Sequence, residues 1–362
     1  MAESQVFLDV LKVFGLVSFS FFTAFFLTPI LTHYLYKYEL WPKKTDRNAL
    51  SGEHASVISK LVKERSKPET PRMGGILIWG TTILVTLFFW LLAGLSDRSI
   101  FIKLNYLSRS QTWLPFAGLI ASALVGLADD WFQIKGKGRY VGGGIELSFR
   151  IGLVCIIGAV GAWWFYGPLG MREIMIPFYG PLYLGILFIP FFMLTMLAVF
   201  SSGVIDGLDG LAGGVLSSII AAYGAIAFFQ QQLDLAAFLG VIGGALLAFL
   251  WYNIPPARFY MGESGMLGLT TVLTIVAFLT QAVVVLPIIA FPLVVEAGSD
   301  IIQVASKRWR GKKVFLAAPI HHHFEAKGWP HYKVTMRFWI VSTVTAIVGM
   351  VVHLIGSVVR FF

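Results

Sequence analysis

The sequence predicts an all-α protein that crosses a membrane about ten times, and three observations predict it. Of its 362 residues, 57% are hydrophobic and 13% charged, whereas a soluble domain carries roughly a quarter charged residues. The apolar residues come in runs near twenty long, enough to cross ~30 Å of hydrocarbon as helix. The clustered acids and histidines fall between the runs, and only in alternate gaps. Unsatisfied backbone is too costly in lipid, so the spans are helices or a closed barrel. The runs are continuously apolar rather than alternating, which excludes a barrel.

Ten runs lie near 7–32, 73–95, 113–129, 150–167, 181–201, 210–230, 235–252, 265–282, 284–306 and 337–359. The first follows Glu3 and Asp9 with no basic leader, so it is expected to stay as an anchor. The longest polar stretch, about 33–72, has mixed charge and reads as a loop or short surface helix. The third run closes on Gly126-Leu-Ala-Asp129-Asp130-Trp131, and the fourth contains the lone Cys155, which reads as a small buried hydrophobe. The eighth and ninth runs are separated by little more than Gln281. Pro287 and Pro292 lie inside the ninth, which is therefore expected to be kinked or broken. No internal repeat or separate soluble segment divides the chain, so residues 1–362 read as a single integral membrane domain.

Charge sets the expected orientation. With Arg150 and Arg337 counted in the gaps they border, the odd gaps hold 22 of the 28 Lys and Arg residues. Cytoplasmic connections collect such residues, so the odd gaps are expected inside and both termini outside. The same rule accounts for the net charge of +9 without nucleic acid as a partner.

The odd gaps also carry the chemistry. Asp129 and Asp130 are adjacent like charges whose repulsion a cation would relieve, with Lys135, Lys137 and Arg139 following as phosphate ligands. Asp206-Gly-Leu-Asp209-Gly-Leu places two acids three apart on one face at a helix start, among glycines that admit a ligand to the backbone. Glu263, between Gly262 and Gly265 before the eighth run, is a hard oxygen ligand suited to Mg²⁺. His321, His322 and His323 are consecutive and point in different directions, which disfavours one shared metal and suits hydrogen bonds to phosphate. Carboxylates with Mg²⁺, beside basic groups on one membrane face, suggest phosphoryl transfer from a soluble nucleotide to a lipid-borne acceptor.

At these residues the chain resembles the phospho-N-acetylmuramoyl-pentapeptide transferases, a family of polyprenyl-phosphate N-acetylhexosamine-1-phosphate transferases. The matching segments are Thr70-Pro-Arg-Met-Gly-Gly, Leu127-Ala-Asp-Asp, Asp206-Gly-Leu-Asp-Gly-Leu-Ala, Met261-Gly-Glu-Ser-Gly and Ala318-Pro-Ile-His-His-His-Phe-Glu, with Gly328-Trp and Arg337-Phe-Trp. The resemblance implies transfer of phospho-MurNAc-pentapeptide from its UDP carrier to undecaprenyl phosphate, giving lipid I and UMP with Mg²⁺. It also implies a homodimer in the bacterial inner membrane, with its active site on the cytoplasmic face. The implied catalytic residues are Asp129, Asp130, Asp209 and His321, and the implied metal ligands are Glu263 and Asp206. The implied substrate-binding residues are Thr70, Lys135, Asn253, Tyr260, Gln303, His322 and His323. Asp129 can be read as a base on the lipid phosphate or as a nucleophile. The chain departs from the family at Gly203-Val-Ile205, usually Asn-Leu-Thr, at Glu263, usually Asp, and at His331, usually acidic. A sister transferase using UDP-N-acetylglucosamine and a secondary transporter are the alternatives; a transporter would hold its charges near the bilayer midplane.

Overall fold

A computed structural model of the chain describes residues 2–41, 70–96, 98–107, 110–136 and 144–359. Most of the polar stretch 33–72 lies outside them, as do Lys137 and Arg139. Among the described residues, nine helices are long and apolar enough to cross a membrane. In chain order the helices are α1 (Ala2–Lys37), α2 (Gly75–Leu95), α3 (Ser99–Leu104), α4 (Ser110–Lys135), α5 (Leu147–Tyr166), α6 (Phe188–Ser201) and α7 (Leu211–Phe229). They continue with α8 (Leu233–Asn253), α9 (Gly262–Leu279), α10 (Leu286–Ile289), α11 (Phe291–Arg310), α12 (Ile320–Ala326) and α13 (His331–Val358). The all-α polytopic architecture is the expected one.

α9 is the axis of the bundle. Every one of its residues is buried except Glu263, at its first turn. Its threonines turn inward: Thr270 and Thr274 donate to carbonyls of the preceding turn, and Ser122 of α4 donates to Thr271 at 2.8 Å. Small residues let neighbouring backbones reach it, as is usual where helices pack in lipid. A Cβ on Gly75 of α2 would strike the backbone of Gly265, and one on Gly126 of α4 would strike the carbonyl of Glu263. Neither obstacle can rotate away. Gly126→Ala is therefore expected to destabilise the protein by about 2–3 kcal/mol, seen as a lower thermal midpoint in detergent.

Three boundaries differ from the sequence reading. α1 continues through Lys37, beyond the expected end near 32. α4 continues to Lys135, so Asp129 and Asp130 lie inside the helix rather than at its end. The expected fifth span starts late, because Glu173–Ile176 and Gly180–Tyr183 form an antiparallel hairpin, β1–β2. A short apolar run does not separate strand from helix; here Phe178 N–H donates to the carbonyl of Gly356 in α13, tying the hairpin to the bundle. The ninth run is broken, as its prolines predict. α10 and α11 meet at Ala290, each with proline in its first turn, where a missing N–H costs nothing. α11 carries Glu296, Asp300 and a basic end, so it falls outside the nine long apolar helices.

The alternation read from the sequence holds in three dimensions. The described parts of the odd connections meet at one end of the bundle. At the other end Lys12 of α1 pairs with Asp234 at the start of α8, and Gln230 donates to the Thr280 carbonyl while meeting His353.

Candidate functional site

The site is built where the C-terminal end of α4 meets the N-terminal turn of α9. Asp130 is fully buried and accepts from the backbone N–H groups of Glu263 (3.0 Å) and Ser264 (2.9 Å). It caps α9 from another helix, satisfying two donors that a helix start leaves orphaned. Gly262 has φ +72° and leaves room for this carboxylate: a Cβ there would stand 2.6 Å from an Asp130 oxygen. Asp130 is thereby spent on holding Glu263 in place.

Asp129 is held from three sides. Its Oδ1 accepts from Ile145 N–H at 2.6 Å, while Oδ2 accepts from Gln133 at 2.7 Å and from Arg150 at 3.3 Å. Arg72 donates to the Gln133 amide oxygen, and Arg150 also donates to Glu263 Oε1 at 2.9 Å. A chain of contacts thus runs from Arg72 through Gln133, Asp129 and Arg150 to Glu263. None of Arg72, Gln133 and Arg150 was singled out from the sequence. The available signal was Arg150 itself, an arginine at the head of an apolar run and 8% exposed.

The Asp206–Asp209 loop approaches from the fifth gap. Asp206 Oδ2 accepts from Gly262 N–H at 2.9 Å. Burial raises the Asp206 carboxyl to about 6, opposed by that N–H and by Arg72 and reinforced by the charges of Glu263 and Asp209. Asp209 accepts from Ala257 N–H and the Tyr260 hydroxyl, each at 3.0 Å. Asn253, 1% exposed, accepts from Gly210 N–H and donates to the Phe259 carbonyl. Thr335 and Trp339 of α13 donate to the carbonyls of Asp209 and Gly210. Asn253 therefore pins the loop through its carbonyl oxygen and one N–H. The departing segment Gly203-Val-Ile205 forms most of a 3-10 turn, with Ile205 buried against the core.

Among the described residues, no three His, Cys, Asp or Glu side chains converge tightly enough to cage a metal alone. Among those residues, Glu263 Oε2 and Asp206 Oδ1 make no hydrogen bond. This oxygen set suits a hard cation such as Mg²⁺, which keeps several waters and takes one or two carboxylates together with phosphate oxygens.

The histidines separate as their adjacency predicts. His321 Nδ1 bonds Glu296 Oε2 at 2.7 Å, His322 Nδ1 bonds Glu325 Oε2 at 2.8 Å, and His323 Nδ1 accepts from Leu316 N–H at 3.1 Å. His321 abuts Gly207 of the acid loop. Gln303 takes the N–H groups of Val314 and Phe315 and donates to the Phe315 carbonyl, clamping that loop. Lys135 is exposed, with its ammonium 4.9 Å above the Trp131 ring. Thr70 is half-buried beside Pro71, whose carbonyl accepts from Tyr260 N–H.

Carboxylates and guanidinium groups gathered at one end of a polytopic helical bundle give a membrane protein a polar, charged site at that end. Residues 112–281 match the family model described as glycosyl transferase family 4. The chain is 35% identical over 303 residues to a phospho-N-acetylmuramoyl-pentapeptide-transferase of Chloroflexus aggregans, covering 80% of this chain and 78% of the relative. It is 35% identical over 308 residues to the protein of that name from Dinoroseobacter shibae, covering 79% and 80%. Against that from Fusobacterium nucleatum it is 34% identical over 312 residues, with the same shares covered. The chain belongs to the phospho-N-acetylmuramoyl-pentapeptide-transferase family, the multi-pass membrane phosphoglycosyl transferases of bacterial peptidoglycan synthesis.

Proposed function

We propose that this protein transfers phospho-MurNAc-pentapeptide from UDP-MurNAc-pentapeptide to undecaprenyl phosphate, yielding lipid I and UMP. The observation that carries this reading is the meeting of Asp129, Asp206, Asp209 and Glu263 with Arg72 and Arg150 at one end of the bundle. Family membership supports the substrates, and the excess of Lys and Arg in the odd gaps supports a cytoplasmic site in the inner membrane. The homodimer and the single-domain reading are carried as part of the same proposal.

Glu263 and Asp206 would hold Mg²⁺, which when bound neutralises the donor diphosphate. An oxygen of the lipid phosphate forms a bond to the sugar-linked phosphorus. The bond from that phosphorus to the bridging oxygen breaks, and UMP leaves with that oxygen. Arg150, between Asp129 and Glu263, balances the acids and is placed to meet an incoming phosphate. For Asp129 to act as a base, it would use the lone pair that Oδ1 keeps beside its single hydrogen bond. Tyr260 orients Asp209, and Asn253 orients the loop that carries it.

Purified protein given UDP-MurNAc-pentapeptide, undecaprenyl phosphate and Mg²⁺ is expected to form lipid I and UMP. No product, or faster turnover with UDP-N-acetylglucosamine, would reject this reading. Acidity supplies a second check. Mg²⁺ needs the ionised carboxylate, and Asp206 is protonated below about pH 6. The Mg²⁺ concentration for half-maximal rate is therefore expected to rise as pH falls from 7 towards 5, because proton and metal compete. A requirement independent of pH across that range would remove Asp206 from the metal site.

A further inference from the structure

Glu296 on α11 and His321 at the start of α12 are both 0% exposed and bond each other through Oε2 and Nδ1. The remaining polar atoms of the pair, Glu296 Oε1 and His321 Nε2, are buried without a partner. An unpaired buried donor or acceptor costs about 1–3 kcal/mol, whereas an apolar residue of similar shape avoids that cost. Packing alone therefore does not account for this pair. Position does: a Cβ built on Gly207 would lie 2.5 Å from Nε2. Gly207 stands between Asp206 and Asp209, and its missing side chain lets the backbone of that loop pack close against Nε2. An ionised carboxylate only accepts, so the Glu296 contact takes the Nδ1 hydrogen and leaves Nε2 as the ring nitrogen available to a ligand.

We propose that Glu296 is a positioning residue for the transfer reaction, holding the His321 ring so that Nε2 accepts a hydrogen bond from a hydroxyl or amide N–H of the donor substrate beside Gly207. The proposal rests on the functional reading above and assigns work to an acid that no motif reading selected. It has the form of a carboxylate fixing a histidine whose other nitrogen does chemistry.

The test uses full-length Glu296→Ala, Glu296→Gln, His321→Ala and the Glu296→Ala/His321→Ala double variant, with UDP-MurNAc-pentapeptide and undecaprenyl phosphate. Glu296→Ala is expected to lower kcat about 10–100-fold, as for other groups that orient a ligand, with donor KM changed less than about threefold. Glu296→Gln still accepts from Nδ1 and is expected to return kcat to within about threefold of the parent. The double variant is expected to be no slower than His321→Ala, because a residue acting through His321 then has nothing to act on. Losses that multiply, or a glutamine variant as slow as the alanine one, would overturn the proposal. If the alanine variant does not fold, Glu296→Leu, of similar volume and without an acceptor, replaces it with the same expected outcomes. Nitrogen-15 spectra of ring-labelled protein read the pair independently of turnover: the His321 Nδ1–H signal should persist in Glu296→Gln and shift in Glu296→Ala. An unshifted signal overturns the pairing, whereas a parent enzyme that makes no lipid-linked product defeats the functional reading instead.

Discussion

Glu263→Ala is expected to lower turnover about 10³-fold, the effect of losing several kcal/mol of transition-state charge stabilisation, while the thermal midpoint stays near that of the parent. The two parts of this expectation come from one fact. In α9 only Glu263 escapes burial, so removing its carboxylate opens no cavity in the core. The carboxylate is instead held out to Arg150 at 2.9 Å, with its second oxygen available for a cation. Glu263→Asp should recover part of the lost rate, since the charge returns but sits one methylene closer to the helix. Steady-state rates and unfolding midpoints of both variants check this. An alanine variant within tenfold of the parent would remove Glu263 from the reaction.

Asp130→Ala is expected to do the reverse and act first on stability. Its two oxygens are the acceptors for the Glu263 and Ser264 N–H groups, in a site with no exposure. Losing both leaves two buried donors unpaired, at about 1–3 kcal/mol each. A thermal midpoint well below the parent's is expected, with activity lost as the first turn of α9 frays. Asp130→Asn keeps one acceptor oxygen but turns an NH₂ group towards a backbone N–H, so it should fall between the two. An alanine variant that melts with the parent would show that the cap contributes nothing. Adjacent acids in one motif are thus expected to part, Asp129 facing the reaction and Asp130 holding the helix that carries Glu263.

Much of the site was legible before any coordinates. Placing the acids and histidines in odd gaps required only that consecutive spans alternate in direction, and Asp129, Asp206, Glu263 and His321 do meet at one end. The divergence of the three histidines followed from helical geometry, and the break at Ala290 from the prolines on either side of it. Asn253 and Gln303, read as substrate contacts, each hold backbone groups through the carbonyl oxygen and one N–H, which leaves a second N–H on each amide. A side-chain amide serves either purpose equally well, and only its neighbours decide which. Arg150 and Glu296 were missed because their partners lie 113 and 25 residues away, separations with no periodic signature.

By itself the sequence determined that the chain spans a membrane repeatedly and which connections share a side, because bilayer thickness and strict alternation leave few other solutions. Tertiary structure alone decided which acids are free and which are spent. A carboxylate's role depends on the donors around it: Asp130 meets two backbone N–H groups, while Glu263 meets an arginine and open space. Those donors come from helices distant in the chain, so the division of labour emerges only when the helices pack.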